Sequence, residues 1–246
     1  MFQFFGKKHF LVDLLGHFAD IHNHILPGID DGAKTPEESL ELVRAFEQIG
    51  ITRFITTPHI LKPLYPNTPE TIRGARETLL DTLLDHKLTH ISIEASAEHM
   101  IDDGFEDMME NQAYMPMRGG YLLVEMSFLQ PPLNFKESIV AVTRRNLTAI
   151  LAHPERYLFL HRDPGKYARY KAKGMLFQLN MLSLGDYYEK QVQQMAFKLL
   201  DEGLVDFLAS DMHNMKHFEA LKRIQLPQKR MEQLRPVIDR TIELFY

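Results

Sequence analysis

Seven short apolar runs recur along the chain, and six of them end in a side chain that can bind a metal ion. They lie near 18–22 (FADIH), 52–57 (TRFITT), 90–95 (HISIEA), 121–126 (YLLVEM), 147–152 (LTAILA), 175–181 (MLFQLNM) and 205–210 (VDFLAS). Most are separated by stretches whose apolar residues fall at helical spacing. The segment 36–50 has Thr35 as its cap, Pro36 at the first helical position, Glu38 in the capping-box place and Gly50 at its end. The segment 68–87 starts the same way, with Thr68, Pro69 and Thr71, and 187–203 closes on Gly203. The tail QKRMEQLRPVIDRTIELF reads as a last helix with a bend expected at Pro236. Strands that alternate with helices are parallel. Seven such units fit one α/β domain over 18–246, a closed or nearly closed parallel barrel. An open doubly wound sheet is the alternative, but no glycine-rich phosphate loop follows the first strand. Residues 1–17 are read as an N-terminal extension, expected as a short amphipathic helix that packs on the body, with contact to a partner as the alternative.

In a parallel barrel every C-terminal strand end faces the same mouth. His22 and His24 close the first run, His59 the second, Glu98 the third, Glu125 the fourth, His153 the fifth, and Asp211 with His213 the seventh. Side chains far apart in sequence are thereby aimed at one centre. Each piece alone is weak. HNH reads either as a polar turn or as a ligand pair, and the acids Asp30 and Asp31 of GIDDG share that ambiguity. Glu125 is harder to set aside, because a buried carboxylate is costly without a partner. Arg118 or Arg156 would be the ordinary partner and a metal ion the other. Asp20 shares strand parity with His22 and His24, so it reads as support for a ligating histidine or as a lower barrel residue paired with Lys or Arg. His86, His90, His99, His161 and His217 have no such positional logic and are expected on the surface or in loops. Agreement among six strand ends carries the metal reading, and a mixed imidazole and carboxylate shell suits Mn, Fe or Zn.

The totals exclude several functions. The chain has no cysteine, which removes disulfides, thiolate zinc sites and a thiol nucleophile. The net charge is −5 and no Lys/Arg run exceeds two residues, which argues against nucleic acid as the main partner. Lys7, Lys8 and Asp13 break the apolar start, so no signal peptide is expected, and no segment approaches 18 uncharged apolar residues, so no membrane span is expected. A cytoplasmic location is the default.

HNH with GIDDG, TTPHI, SAEHM, LLVEMS, LAHPERY and ASDMHN, in this order from Asp20 to Asn214, resemble the PHP (polymerase and histidinol phosphatase) superfamily. The resemblance is to the CpsB/CapC-type manganese-dependent protein tyrosine phosphatases of bacterial capsule and exopolysaccharide loci. It implies a distorted (β/α)7 TIM-like barrel with a trinuclear site at the C-terminal strand ends, with Mn²⁺ as the usual ion and Fe, Zn or Mg as others. Its ligands would be His22, His24, Asp31, His59, Glu98, Glu125, His153, Asp211 and His213, with Asp31 chosen because it directly precedes the glycine and Asp30 left as the turn residue. Arg156, in HPERY, matches the arginine that holds the phosphate. Members often carry another arginine past DMHN, where this chain has Lys216 and His217. The residues before the first motif are also unexplained by the family.

The resemblance implies hydrolysis of phosphotyrosine by a metal-activated hydroxide. The partner would be a phosphotyrosine protein, the tail of a bacterial tyrosine kinase. A small-molecule phosphomonoesterase, such as a histidinol-phosphate phosphatase, would use the same chemistry. An Arg-His-Gly triplet is absent, which argues against a phosphohistidine route. Tyrosine phenolate leaves readily, with a pKa of about 10. If an acid is needed, Asp31 and His213 are candidates by position.

Overall fold

The computed structural model describes residues 8–246. Its strands are β1 (Lys8–Phe10), β2 (Ala19–Asp20), β3 (Arg53–Thr56), β4 (His59–Ile60), β5 (Ser92–Ala95), β6 (Glu98–Met100), β7 (Tyr121–Glu125), β8 (Thr148–Ala152), β9 (Leu176–Asn180), β10 (Phe207–Ala209) and β11 (Gln225–Pro227). The helices are α1 (Pro36–Gln48), α2 (Pro69–Asp85), α3 (Phe105–Glu110), α4 (Phe135–Arg144), α5 (Leu158–His161), α6 (Gly165–Ala172), α7 (Lys190–Asp201), α8 (Met215–Arg223) and α9 (Gln228–Phe245).

Strands β2 through β10 pair in parallel, as two sheets ordered β2-β3-β5 and β4-β6-β7-β8-β9-β10. Two of the seven expected runs are therefore each split, into β3 with β4 and β5 with β6. Pro58, between β3 and β4, has no N–H to give the ladder, and the two halves of each run pair in different sheets. The ring is completed at its upper rim. The His24 N–H donates to the Met212 carbonyl, and the Asp211 N–H to that of His22, each at 2.8 Å. These bonds flank a parallel bridge between Asn23 and Met212. The expected parallel α/β ring is observed.

An inner apolar cluster fills the lower ring with Ala19, Ile55, Leu123, Ile150, Phe207 and Ala209, against Phe245 of α9. The alternate side chains, such as Leu122, Val124 and Leu151, pack in the outer core with the helices. Glu125 continues the inward parity of Leu123, so strand geometry carries it to the mouth of the ring.

Helix caps follow the local sequence. The Thr35 hydroxyl accepts from the Glu38 N–H, and Thr68 and Thr71 form a reciprocal capping box. Helix α7 begins only at Lys190, not at 187, which leaves Tyr187 and Tyr188 in the preceding loop. Helix α9 continues through Pro236. The expected N-terminal helix is not what forms over 8–17, and residues 1–7 lie outside the described residues. Strand β1 pairs antiparallel with β11, and Leu11–Leu14 make a 3-10 turn. Leu11 and Leu15 are completely buried in the main core, so this stretch does pack on the body.

Candidate metal centre

Three backbone devices aim the donors. The first strand stops at Asp20, so simple alternation does not extend to His22 and His24. The bridge to Met212 sets them instead. Gly32 lies so close to His24 that a Cβ there would stand 1.9 Å from the His24 carbonyl oxygen, so only glycine lets the GIDDG loop fold against HNH. His153 and Asp211 take left-handed backbone, with φ of 34° and 51°. Such conformations cost on the order of 1–3 kcal/mol each for a non-glycine residue and persist where surrounding contacts enforce them.

The nine residues expected as ligands converge. Their donor atoms fall into four overlapping groups, each within 4.8 Å: His24, Asp31, His59 and His213; His22, His24 and Asp211; His22, Glu98 and His153; and His59, Glu98 and Glu125. Glu98 Oε2 lies 3.2 Å from both His22 Nε2 and His59 Nδ1, while Glu98 Oε1 lies 3.0 Å from His153 Nε2. Asp211 Oδ1 lies 3.4 Å from His24 Nε2. Asp31 Oδ1 is 3.4 Å from His59 Nε2 and 3.5 Å from His213 Nε2. These atoms surround a cavity of about 330 Å³ that Arg156, Phe128, Tyr187, Tyr188 and His217 also line. A groove of about 450 Å³ between α4 and α6 is larger, but its lining, which includes Ile139, Val140 and Met175, offers no carboxylate or imidazole.

Metal ions fit this donor set. Among the described residues, His59 Nδ1, Glu98 Oε2 and Glu125 Oε1 are buried with no hydrogen-bond partner. His59 Nδ1 and Glu125 Oε1 are only 2.8 Å apart, yet they are not aligned for a hydrogen bond. Orphaned buried polar atoms are costly, and a cation between them removes the cost. Glu125 has no arginine partner: Arg118 pairs with Glu94, and Arg156 with Asp211.

The charges show the same demand. Burial opposes a proton on His22, but Glu98 and Asp211 outweigh it and raise its pKa to about 9. Burial likewise opposes a proton on His24, and Asp30 foremost raises it to about 9. Burial works against the ionised forms of Glu98 and Asp211 too, yet the facing imidazoles hold both well below the usual carboxylate range. The pocket is built to hold positive charge between carboxylates.

A surrounding layer orients the imidazoles. His22 Nδ1 donates to Gln178 Oε1 at 2.7 Å, and His24 Nδ1 to Asp30 Oδ2 at 2.8 Å, in the tautomers that leave both Nε2 atoms facing the centre. Asn180 and Arg156 both donate to Asp211 Oδ2 at 2.7 Å, which leaves Oδ1 toward the histidines. His213 Nδ1 donates to the Asp211 carbonyl at 2.9 Å and frees its Nε2.

Several expectations change. Asp30 is no mere turn residue: its buried carboxylate also accepts from the Gly32 N–H and the His59 N–H. Asp30→Asn therefore weakens metal loading about 10–100-fold, the size typical of losing such a partner, as read by metal titration; Lys34→Ala, a neighbour whose ammonium meets only the Asp30 carbonyl, leaves loading unchanged. Asp20 takes neither expected role. It accepts from the Ser210 N–H and hydroxyl, and burial pushes it up to about 6 despite these bonds. His99 is wholly buried, not superficial. Its Nδ1 donates to the Leu123 carbonyl and its Nε2 accepts from the Met115 N–H, while burial lowers it to about 4. His161 donates to the Glu155 carbonyl. His86 and His90 are exposed as expected. Where the second family arginine would stand, His217 lines the cavity and Lys216 faces a separate groove with Glu38 and Glu41.

Gln178 and Asn180 had a signal in the sequence. They are two polar residues, two apart, at the end of an otherwise apolar run, on the one strand without a metal-competent side chain. Phe128, Tyr187 and Tyr188 had none, because they reach the site from loops.

The chain is 29% identical over 197 residues to the tyrosine-protein phosphatase YwqE of Bacillus subtilis, covering 80% of this chain and 78% of that protein. It is 28% identical over 202 residues to the tyrosine-protein phosphatase CpsB of Streptococcus agalactiae, covering 80% and 83%. A solved structure from work on YwqE of Bacillus subtilis and CpsB of Streptococcus pneumoniae, described as metal-dependent tyrosine phosphatases, superimposes with a TM-score of 0.82. It covers 92% of this chain and 93% of that one, at 27% identity. The family model for capsular polysaccharide synthesis proteins of the CpsB/CapC type matches residues 18–231. With that match spanning the ring and every donor of the centre, the chain belongs to the CpsB/CapC family.

Proposed function

We propose that the protein is a metal-dependent phosphatase that hydrolyses phosphotyrosine in proteins. The observation that carries this reading is the convergence of nine donors with orphaned buried atoms beside Arg156 in one open cavity. His22, His24, Asp31, His59, Glu98, Glu125, His153, Asp211 and His213 would hold up to three divalent ions, with Mn²⁺ expected and Fe, Zn or Mg as substitutes. When bound, such ions activate a water molecule and bind phosphate oxygens for in-line attack.

The chain's own groups do the rest. Arg156 lies over the rings of Phe128 and Tyr188, 4.6 and 4.5 Å from their centroids, and one of its nitrogens is held by Asp211. A guanidinium fixed this way has donors left for a phosphate, in a planar fork that suits its oxygens. Glu98, which belongs to two of the four donor groups, and Glu125, which shares one of them with His59, would hold ions from below. Asp31 sits at the mouth. Burial opposes its charge, but His213 and His59 hold its carboxyl far below the usual range, so it stays ionised and is no proton donor near neutral pH. His213, the other acid candidate by position, has its Nδ1 on the Asp211 carbonyl and its Nε2 among the metal donors, so neither residue is free to pass a proton, and a phenolate with a pKa of about 10 needs little help to leave.

The family description connects this chemistry to capsular polysaccharide synthesis, and the proposed substrate is the phosphotyrosine tail of a bacterial tyrosine kinase in such a system. No described helix is long and apolar enough to cross a membrane, and we place the enzyme in the cytoplasm. The test is a substrate panel with added Mn²⁺. Phosphotyrosine peptides are expected to be turned over far faster than histidinol phosphate. Turnover of histidinol phosphate alone would replace this substrate with a small phosphomonoester.

A further inference from the structure

One face of the cavity continues into a loop of which the chemistry uses only Phe128. Residues 126–134, MSFLQPPLN, carry no charge in a chain that is 25% charged. The loop follows Glu125 directly. Phe128 turns inward, 44% exposed, with its ring 5.5 Å from those of His153 and Tyr157. Leu129 and Leu133 turn outward and are 91% and 100% exposed.

This exposure is held in place. The Met126 N–H donates to the Tyr157 hydroxyl at 3.0 Å, and the Leu129 N–H to the Ser127 hydroxyl at 3.2 Å. At the far end, the Asn134 amide donates to the Asp102 carbonyl at 2.8 Å and to the Glu106 carboxylate. Pro131 and Pro132 restrict the backbone between these ties. A lone exposed leucine needs no explanation, but two on a stiff, uncharged loop that adjoins a polar cavity form an apolar lip.

We infer that the lip of Phe128, Leu129 and Leu133 is the docking surface for the peptide around the phosphotyrosine, and that it selects apolar side chains there. This rests on the phosphotyrosine reading above. Phe128 and Arg156 line the same cavity, with the guanidinium carbon 4.6 Å from the ring centroid, so a phosphotyrosine held at Arg156 lies beside Phe128. The next residues of an extended peptide are spaced by about 3.3–3.6 Å each. Leu129 directly follows Phe128 and Leu133 lies four residues further along the same loop, which puts them in reach of side chains within about three positions of the phosphotyrosine. Burying apolar surface there favours an apolar neighbour, and the absence of charge gives an acidic or basic neighbour no partner.

The experiment compares three substrates with Mn²⁺-loaded protein: a phosphotyrosine peptide flanked by leucine and valine, one flanked by glycine and serine, and p-nitrophenyl phosphate. The wild type is expected to prefer the apolar-flanked peptide roughly tenfold in kcat/KM, the size given by partial burial of two leucines. Leu129→Ser/Leu133→Ser, changed only at exposed positions, is expected to lose that preference through KM, with kcat and the rate on p-nitrophenyl phosphate unchanged. Equal use of both peptides by the wild type overturns the inference alone, as does a variant that keeps the preference. A variant impaired equally on all three substrates also overturns it. Absence of turnover of every phosphotyrosine peptide overturns the phosphotyrosine reading and this inference with it.

Discussion

Glu98→Ala lowers kcat/KM for a phosphotyrosine peptide by about 10³-fold or more. The expectation rests on position: Glu98 belongs to two of the four donor groups, and its oxygens lie within 3.5 Å of His22, His24, His59 and His153. Removing it takes a charge from the middle of the cluster and leaves the imidazoles facing one another. Ion-based stabilisation of a developing phosphoryl transition state is worth several kcal/mol, and about 4 kcal/mol is roughly 10³-fold in rate. Glu98→Gln keeps the shape and removes the charge. It should fail almost as badly if the carboxylate acts as a ligand, whereas a carboxylate needed only for packing would tolerate the amide. Metal content measured on both variants separates the two.

Arg156→Lys is expected to cost about 10²–10³-fold in kcat/KM, comparable with losing one well-placed donor to a developing charge. Lysine keeps the charge but loses the ring stacking that the structure shows and the further donors proposed to meet the phosphate. It has no planar face to lie over Phe128 and Tyr188, no fork for two phosphate oxygens, and no second nitrogen to spare once one meets Asp211. Because Arg156 holds Asp211 by a 2.7 Å bond, part of the loss should appear as weaker metal loading. At saturating Mn²⁺ the remaining loss reports phosphate binding. A lysine variant with wild-type kcat/KM at saturating metal would mean that Arg156 only orders Asp211.

The centre was more legible than the fold around it, and the reason is periodic. Parallel strands with a residue of one type at each C-terminal end leave an even spacing in the sequence, so the donors from His22 to His213 could be read without coordinates. Where regular geometry breaks, the reading failed. His22 and His24 depend on a bridge to Met212, some 190 residues away. The runs ending at His59 and Glu98 each change sheets midway, which composition does not reveal. Asp30 looked like turn chemistry because its three hydrogen bonds form only after the GIDDG loop folds back over His24. His99 was misplaced for the same reason: its partners, Leu123 and Met115, are distant in sequence. The N-terminal stretch has helical-looking apolar residues, but the edge of β11 offers it a strand partner and tertiary pairing overrides propensity. Tyr187 and Tyr188 were read into a helix because its pattern extends past its true start at Lys190.

The most direct test measures metal content and phosphotyrosine hydrolysis on the same sample while Mn²⁺ is removed with a chelator and returned. The account predicts about two or three ions per chain in the active protein, with hydrolysis lost as they leave and regained as they return. Full activity in protein stripped of its ions would contradict it.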